Sequence, residues 1–241
     1  MRVASIDSRV RSPARAVACA ALLLGLSSCR DTTPGIRTEF VGGYPFTAIE
    51  RRVIARVAGD AAREARSHLP ALAAQITLRV QSGKDVIPEL GATAFAAPPD
   101  RVLWTVDVDR PEGVVKIAEG HLRTALFHEF HHLVRGATLP PHTLMDHVIF
   151  EGMATAFERD FAGASPPWGQ YPDDVSTWVE ELLMQPPGTG PADWIAKQHE
   201  DGRRWIGMRA GTYLVDVAMK KLHRTSAELV STPTEAILTQ R

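Results

Sequence analysis

Residues 122–134 combine two properties that a helix on a protein surface does not combine. Apolar side chains occur at helical spacing around nearly the whole circumference, so the predicted helix must be buried on all sides. The same segment carries His128, Glu129, His131 and His132. Because ionisable groups are costly to bury without partners, the fold must bring polar groups or an ion to this helix. The apolar positions are Leu122, Ala125, Leu126, Phe127, Phe130, Leu133 and Val134.

The order of residues 128–132, His-Glu-Phe-His-His, contains the pattern H-E-x-x-H. Residues four apart share one helix face, so His128 and His132 can both reach one Zn²⁺ ion at about 2.0–2.1 Å. Glu129 projects about 100° further round the helix, where it can take a proton from a zinc-bound water. The pattern predicts zinc ligands at His128 and His132 and a general base at Glu129. A solvated histidine-rich face is the alternative, which the apolar surroundings disfavour.

A catalytic zinc site usually has three protein ligands and one open position, so a third ligand must come from elsewhere in the chain. A histidine six residues after His132 would complete one common motif, but that position is Thr138. Glu151 lies in an apolar helical run, where a carboxylate is costly unless it is paired. We therefore predict Glu151 as the third ligand. The alternatives are that Glu151 only forms a salt bridge, or that Glu158 or Asp146 is the third ligand.

The N-terminus has the pattern of a targeting signal. Four arginines precede an apolar run at residues 16–26, which is too short to span a bilayer but long enough for a signal-peptide core. The following Leu-Ser-Ser-Cys sequence resembles a bacterial lipobox. We predict a lipoprotein signal peptide at 1–28, lipidation of Cys29, and a lipid-anchored tether at 29–45. This implies the cell envelope, on the periplasmic side of either membrane or at the cell surface. An ordinary signal peptide or a buried helix is the alternative.

Hydrophobic periodicity predicts an α+β domain over residues 46–241, with a small sheet first and a mostly helical C-terminal half. Gly152 is expected to let the helix of Glu151 approach the helix of His128 closely. The predicted strands are 75–81, 86–90, 92–97 and 102–108, and the predicted helices are 47–68, 114–135 in two pieces around Gly120, 143–161, 174–184 and 203–223.

Composition excludes several other classes of protein. With 27 Lys and Arg against 28 Asp and Glu, the chain lacks the basic excess of a nucleic-acid-binding protein. Two cysteines, one in the signal and one at its end, provide neither a disulfide framework nor a thiol nucleophile. Serine-hydrolase, phosphate-loop and dinucleotide-binding motifs are missing from the sequence.

The zinc pattern followed by a helical glutamate resembles the gluzincin metallopeptidases. More narrowly, HEFHHLVR, FEGMATAFE and the late G-x-Y-L-V at 211–215 resemble an uncharacterised bacterial family of predicted zinc-dependent proteases, and GATAFAAPPDRVLWTVD resembles its strand pair. The resemblance implies a zincin-like fold, in which a small sheet packs on the active-site helix. It also implies an edge strand, 92–97 or 102–107, that binds the substrate backbone.

One position departs from the thermolysin-like pattern. Those members carry an aspartate four residues after the glutamate ligand, which orients the first histidine, whereas this chain has Thr155. A hydroxyl is a weaker partner for imidazole, so Asp146, Glu158 or a backbone carbonyl is expected to serve instead.

The resemblance also implies a side chain that stabilises the oxyanion. Of five candidates we favour Tyr213, with a core tyrosine as the alternative. His131 either contacts substrate or covers a surface. The other candidates are His223, His199, Tyr171 and Arg209, whereas His121, His142 and His147 are interpreted as surface or packing residues.

Together these features predict a zinc-dependent peptidase of the cell envelope. In it Glu129 activates a zinc-bound water to attack a carbonyl of a peptide or protein substrate. The alternatives are a non-catalytic lipoprotein that uses zinc structurally or to bind peptides, and a lipid-anchored domain without metal.

Overall fold

A computed structural model describes residues 35–195 and 198–241. The predicted signal peptide at 1–28 and the lipidation site Cys29 lie outside the described residues and stay predictions. Within the described residues, no helix is long and apolar enough to cross a membrane. The strands are β1 (Gly35–Phe40), β2 (Gln75–Ser82), β3 (Ala92–Ala97) and β4 (Arg101–Val106), and the helices are α1 (Ala48–His68), α2 (Gly113–Ile117), α3 (Arg123–Thr138), α4 (Leu144–Ala162), α5 (Val175–Leu183), α6 (Ala192–Ile195), α7 (Ile206–Leu222) and α8 (Thr234–Leu238).

The four strands form one mixed sheet in the order β1-β2-β4-β3. β1, β2 and β4 run parallel, and β3 pairs antiparallel with β4, with Ala96 opposite Val102. The predicted α+β class is confirmed, and α3 packs beside β3 and β4. Of the two candidates for the edge strand, the segment 92–97 is the edge, whereas 102–107 falls largely on β4 in the sheet interior.

Two sequence predictions are wrong in the N-terminal half. Residues 35–40, predicted as tether, form β1, which pairs with β2 from Gly35 opposite Gln75 to Phe40 opposite Val80. This strand becomes visible only through a partner 40 residues away in the chain, so local patterning missed it. Residues 86–90, predicted as a strand, form turns with one isolated bridge from Ile87 to Ala92.

The larger of two hydrophobic clusters lies between the sheet and helices α1 and α3, and the smaller one lies among α4, α5 and α7. α1 begins at a capping box in which Thr47 and Glu50 bond each other's backbone, and it buries one face of small and branched residues. The sheet contributes Leu78 and Val102, both fully buried. These contacts hold α3 against the edge half of the sheet, as its apolar circumference requires.

The helix predicted at 114–135 is present and continuous. α2 passes into α3 through a π-helical turn, Ala118–Leu122, in which Gly120 lies without breaking the helix. Such turns widen a helix locally and often occur near functional sites.

The approach of α4 to its neighbours differs from the expectation for Gly152. The Cα of Gly152 faces α7, and a Cβ built on it would lie 2.2 Å from the carbonyl carbon of Gly211. The contact with α3 instead uses Phe150, whose ring lies 3.5 Å from where a Cβ on Gly136 would be. The prediction that Gly152 serves the α3–α4 approach is therefore wrong, because it faces a third helix.

Candidate metal centre

The predicted ligands His128, His132 and Glu151 come together in the structure. Nε2 of His128 lies 3.2 Å and Nε2 of His132 lies 3.4 Å from the same oxygen, Oε2 of Glu151. One ligand atom from each of the three residues lies within 4.8 Å of the others. Both histidines are buried, and the side chain of Glu151 keeps 20% of its surface exposed. The cluster is thus enclosed by protein but reachable from one side.

Aromatic packing fixes the orientation of His132. The ring of Phe150 stacks on it at a centroid distance of 4.2 Å and an interplanar angle of 3°. His128 lies edge-on to His132 at 4.6 Å. Because Phe150 immediately precedes Glu151, α4 presents the carboxylate and the stacking ring together.

The charges of the cluster favour an ionised glutamate. Burial by itself raises the pKa of Glu151, but the nearby charge of His132 and hydrogen bonds from both histidines hold that pKa far below its ordinary value. Burial lowers the pKa of His128, but the charges of Glu158 and Glu129 and the hydrogen bond to Glu151 raise it well above its ordinary value. Three carboxylates, Glu129, Glu151 and Glu158, thus act on His128, and a cation bound among them would be stabilised by their charges.

Glu129 lies beside the three ligands and is held by the edge strand. Its Oε2 accepts a hydrogen bond of 2.7 Å from the backbone N–H of Ala96 on β3. The residue is 7% exposed, and burial raises the pKa of its carboxyl despite the nearby histidine charges. Sequence reasoning missed this contact, because nothing in the local pattern places β3 against α3.

Glu158 faces Nδ1 of His128, the ring nitrogen that points away from Glu151. Its Oε1 lies 3.5 Å from Nδ1 of His128, and the residue is 2% exposed. Thr155 is fully buried, but its hydroxyl has no hydrogen-bond partner among the described residues. Asp146 instead caps the N-terminus of α4 together with Thr143. Of the alternatives left open for orienting His128, Glu158 is the one that faces Nδ1. The 3.5 Å contact is longer than an ordinary hydrogen bond, and Nδ1 has no hydrogen-bond partner among the described residues.

A cavity of about 550 Å³ opens beside the cluster, between β3, α3, α4 and α7. Apart from Glu129, Glu151, Glu158 and histidines, the described lining residues carry no ionisable side chain. The walls away from the cluster are apolar, and Phe95 on the edge strand keeps 66% of its surface exposed. The apolar wall includes Ile87, Leu90, Phe95, Trp205 and Met208.

Tyr213 is not among the residues that line this cavity. It packs edge-on against Tyr171 at 5.4 Å. The reason is its position on α7: Gly211 faces α4, and a residue two positions later projects about 200° away. The sequence predicted the helix that carries Tyr213 but could not determine which face of that helix packs on α4.

Three other histidines differ from expectation. His131 neither contacts the cavity nor covers a surface: it is fully buried against Phe157, and burial lowers its pKa well below the ordinary value. His121 and His147, interpreted as surface or packing residues, line the cavity. Their spacing could have revealed this, since His121 precedes His128 by seven residues and His147 precedes Glu151 by four, both helical repeats.

Two imidazole nitrogens and one carboxylate oxygen converge here, which is the ligand set of many catalytic zinc sites. His128 fits this use well, because Glu158 faces its Nδ1 while its Nε2 points into the cluster.

The fold and this cluster define an α+β protein with a possible two-histidine, one-glutamate metal site. Residues 54–239 match the family described as "Predicted Zn-dependent protease (DUF2268)", and the chain belongs to that family. No curated protein and no solved structure matches the chain.

Proposed function

We propose that this protein is a gluzincin-type zinc-dependent peptidase, with zinc held by His128, His132 and Glu151. The description of the family as a predicted zinc-dependent protease supports this proposal. The observation that carries the proposal is the placement of Glu129, a buried carboxylate beside the three ligands that is not itself one of them. A structural zinc site has no need of such a group.

Zinc in this cluster would polarise a substrate carbonyl and make water a better nucleophile at neutral pH. Glu129 then acts as the general base. Its Oε2 is held by the N–H of Ala96, which leaves Oε1 to take the proton from the attacking water and return it to the leaving amine. The raised pKa of this buried carboxyl favours both steps, since it brings proton acceptance and release closer to neutral pH.

The edge strand β3 offers a surface for an extended substrate. The N–H of Ala96 points away from β4, toward Glu129. Backbone groups of alternate residues in a strand point the same way, so Ala94 also directs its N–H and C=O away from β4. A peptide that pairs with Ala94 would lie along the edge with its carbonyl near the cluster.

The cavity walls indicate which peptides fit. The described wall away from the cluster is made mostly of aromatic and aliphatic side chains, which stabilise large apolar groups and disfavour charged ones. We propose that the substrate is an unstructured peptide or protein segment with a bulky apolar side chain near the cleaved bond. His147, which lines the cavity one helical turn before Glu151, replaces Tyr213 as the candidate for steadying the oxyanion.

The N-terminal sequence supports an envelope location for this activity. We propose that the protein is anchored through a lipidated Cys29 and reaches substrates at the membrane surface. The basic segment, the short apolar run and the Leu-Ser-Ser-Cys sequence support this part of the proposal.

Cleavage of a peptide library by the purified protein tests the proposed function. We expect cleavage beside large apolar residues, its loss after treatment with a chelator, and its recovery on addition of zinc. A protein that binds zinc tightly but cuts no peptide would contradict the proposal and favour a zinc site used for structure or peptide binding. A protein that binds no zinc would favour a metal-free domain.

A further inference from the structure

Trp168 makes a buried polar contact that the proposed function does not use. It lies in a short 3-10 turn, Pro167–Gly169, after the end of α4. Its indole Nε1–H donates a hydrogen bond of 2.9 Å to Oε1 of Glu158. This is the same oxygen that lies 3.5 Å from Nδ1 of His128. Trp168 and Glu158 are 7% and 2% exposed, so the contact is shielded from water.

The turn that carries Trp168 contacts α7 on one side and α4 on the other. Arg209 of α7 donates from Nε to the backbone carbonyl of Pro167 at 3.2 Å. On the other side, a Cβ built on Gly169 would lie 3.0 Å from Cγ2 of Thr155, so the turn lies directly against α4. Trp205 meets the Trp168 ring edge-on at 5.8 Å. The indole N–H is thus held at a fixed place relative to Glu158.

The contact with Gly169 also shows why Thr155 does not orient His128. Its methyl group packs against the turn, and its buried hydroxyl has no described partner. The carboxylate that faces His128 stands three residues further along α4, at Glu158, which is nearly one helical turn. A carboxylate buried there needs a donor of its own, and Trp168 is that donor.

We infer that Trp168 is a positioning residue of the metal site, acting on His128 through Glu158. This inference rests on the proposed zinc site. The indole N–H holds the Glu158 carboxylate toward Nδ1, and the carboxylate fixes the proton on Nδ1 so that the Nε2 lone pair faces the cluster. Without that N–H the carboxylate can turn away, and the orientation of His128 loosens. The metal site therefore depends on three parts of the fold. Two are the helices α3 and α4, which supply its ligands, and the third is the turn of Trp168, which α7 holds in place.

The test is metal binding by the full protein, measured by competition with a chromophoric chelator. Trp168→Phe keeps an aromatic ring and removes the N–H. Outer-shell partners typically affect metal affinity by about 10- to 100-fold, and we expect about tenfold weaker zinc binding. Visible absorption of the Co²⁺-loaded variant should shift, since the geometry at His128 changes. Trp178→Phe, a buried tryptophan that does not line the cavity, is the matched control and should retain wild-type affinity and spectrum.

A double-mutant cycle with Glu158→Gln separates positioning from general packing. If Trp168 acts through Glu158, Trp168→Phe should weaken binding much less in the Glu158→Gln background than in the wild type. Wild-type zinc affinity in Trp168→Phe, or an undiminished loss in the double variant, would overturn the inference. A wild-type protein that binds zinc but cleaves no peptide would remove the proposed function and leave this inference standing.

Discussion

Gly152 of α4 and Gly211 of α7 meet backbone to backbone: a Cβ on Gly211 would lie 2.0 Å from the carbonyl oxygen of Val148, and one on Gly152 would lie 2.2 Å from the carbonyl carbon of Gly211. Neither position can hold a side chain without separating the helices. Because Glu151 directly precedes Gly152, α7 supports the helix segment that carries the third residue of the candidate metal site. Two glycines, which have no side chain to offer the site, thus set where Glu151 lies.

Replacement of Gly152 by alanine should destabilise the protein strongly. The added methyl group would meet backbone atoms that cannot rotate away, and we expect a loss of about 2–3 kcal/mol in the free energy of unfolding by denaturant titration. Gly59→Ala is the matched control: Gly59 lies inside α1 with open space around its Cα, so this change should stabilise by about 0.5–1 kcal/mol. Equal stability of the two variants would contradict the helix contact.

Glu129→Gln should abolish catalysis and spare the metal. The amide keeps the size of the side chain but cannot accept a proton, so we expect kcat to fall by about 100-fold or more with zinc stoichiometry unchanged. Glu119→Gln is the control, because that exposed carboxylate lies on the same continuous helix and bonds Arg56 at the surface. Unchanged peptide cleavage by the Glu129 variant would refute the assigned role.

Glu151→Gln should reduce zinc affinity more than any change outside the ligand set. It removes the anionic oxygen that faces both histidines, and the loss should exceed the roughly 10- to 100-fold typical of outer-shell partners. Thermal unfolding gives a second measurement: zinc at one hundred times its Kd stabilises the wild type by about 2.7 kcal/mol, and the variant should lose this gain at the same concentration. Glu180→Gln, at an exposed site, should behave as the wild type.

Phe95→Ser should weaken cleavage without affecting folding. Phe95 lines the cavity but is 66% exposed, so its ring is available to a substrate and contributes little to the core. Loss of one apolar wall should lower kcat/KM for peptides with large apolar residues by about tenfold. Met184→Ser, which changes an apolar side chain 76% exposed and outside the cavity lining, should leave kcat/KM unaltered. A similar loss in both variants would argue against a substrate contact at Phe95.

The sequence alone determined the residues of the candidate metal site. H-E-x-x-H places His128 and His132 on one helix face by helical geometry, and the cost of burying a carboxylate in an apolar run singled out Glu151. The same local arguments predicted the main helices and three of the four strands, because periodicity and caps are properties of neighbouring residues. The approximate bounds of those elements therefore follow from the local sequence.

The tertiary structure decided which groups meet across those elements. Four features join residues that sequence spacing does not relate. They are the pairing of β1, the bond from Ala96 to Glu129, the contact of Trp168 with Glu158, and the packing of Tyr213 away from the cavity. Each depends on packing between distant segments, in which a shift of one residue or a rotation of about 100° changes the partner. Local patterns can therefore name the candidate metal ligands, but only the packed chain shows what holds and surrounds them.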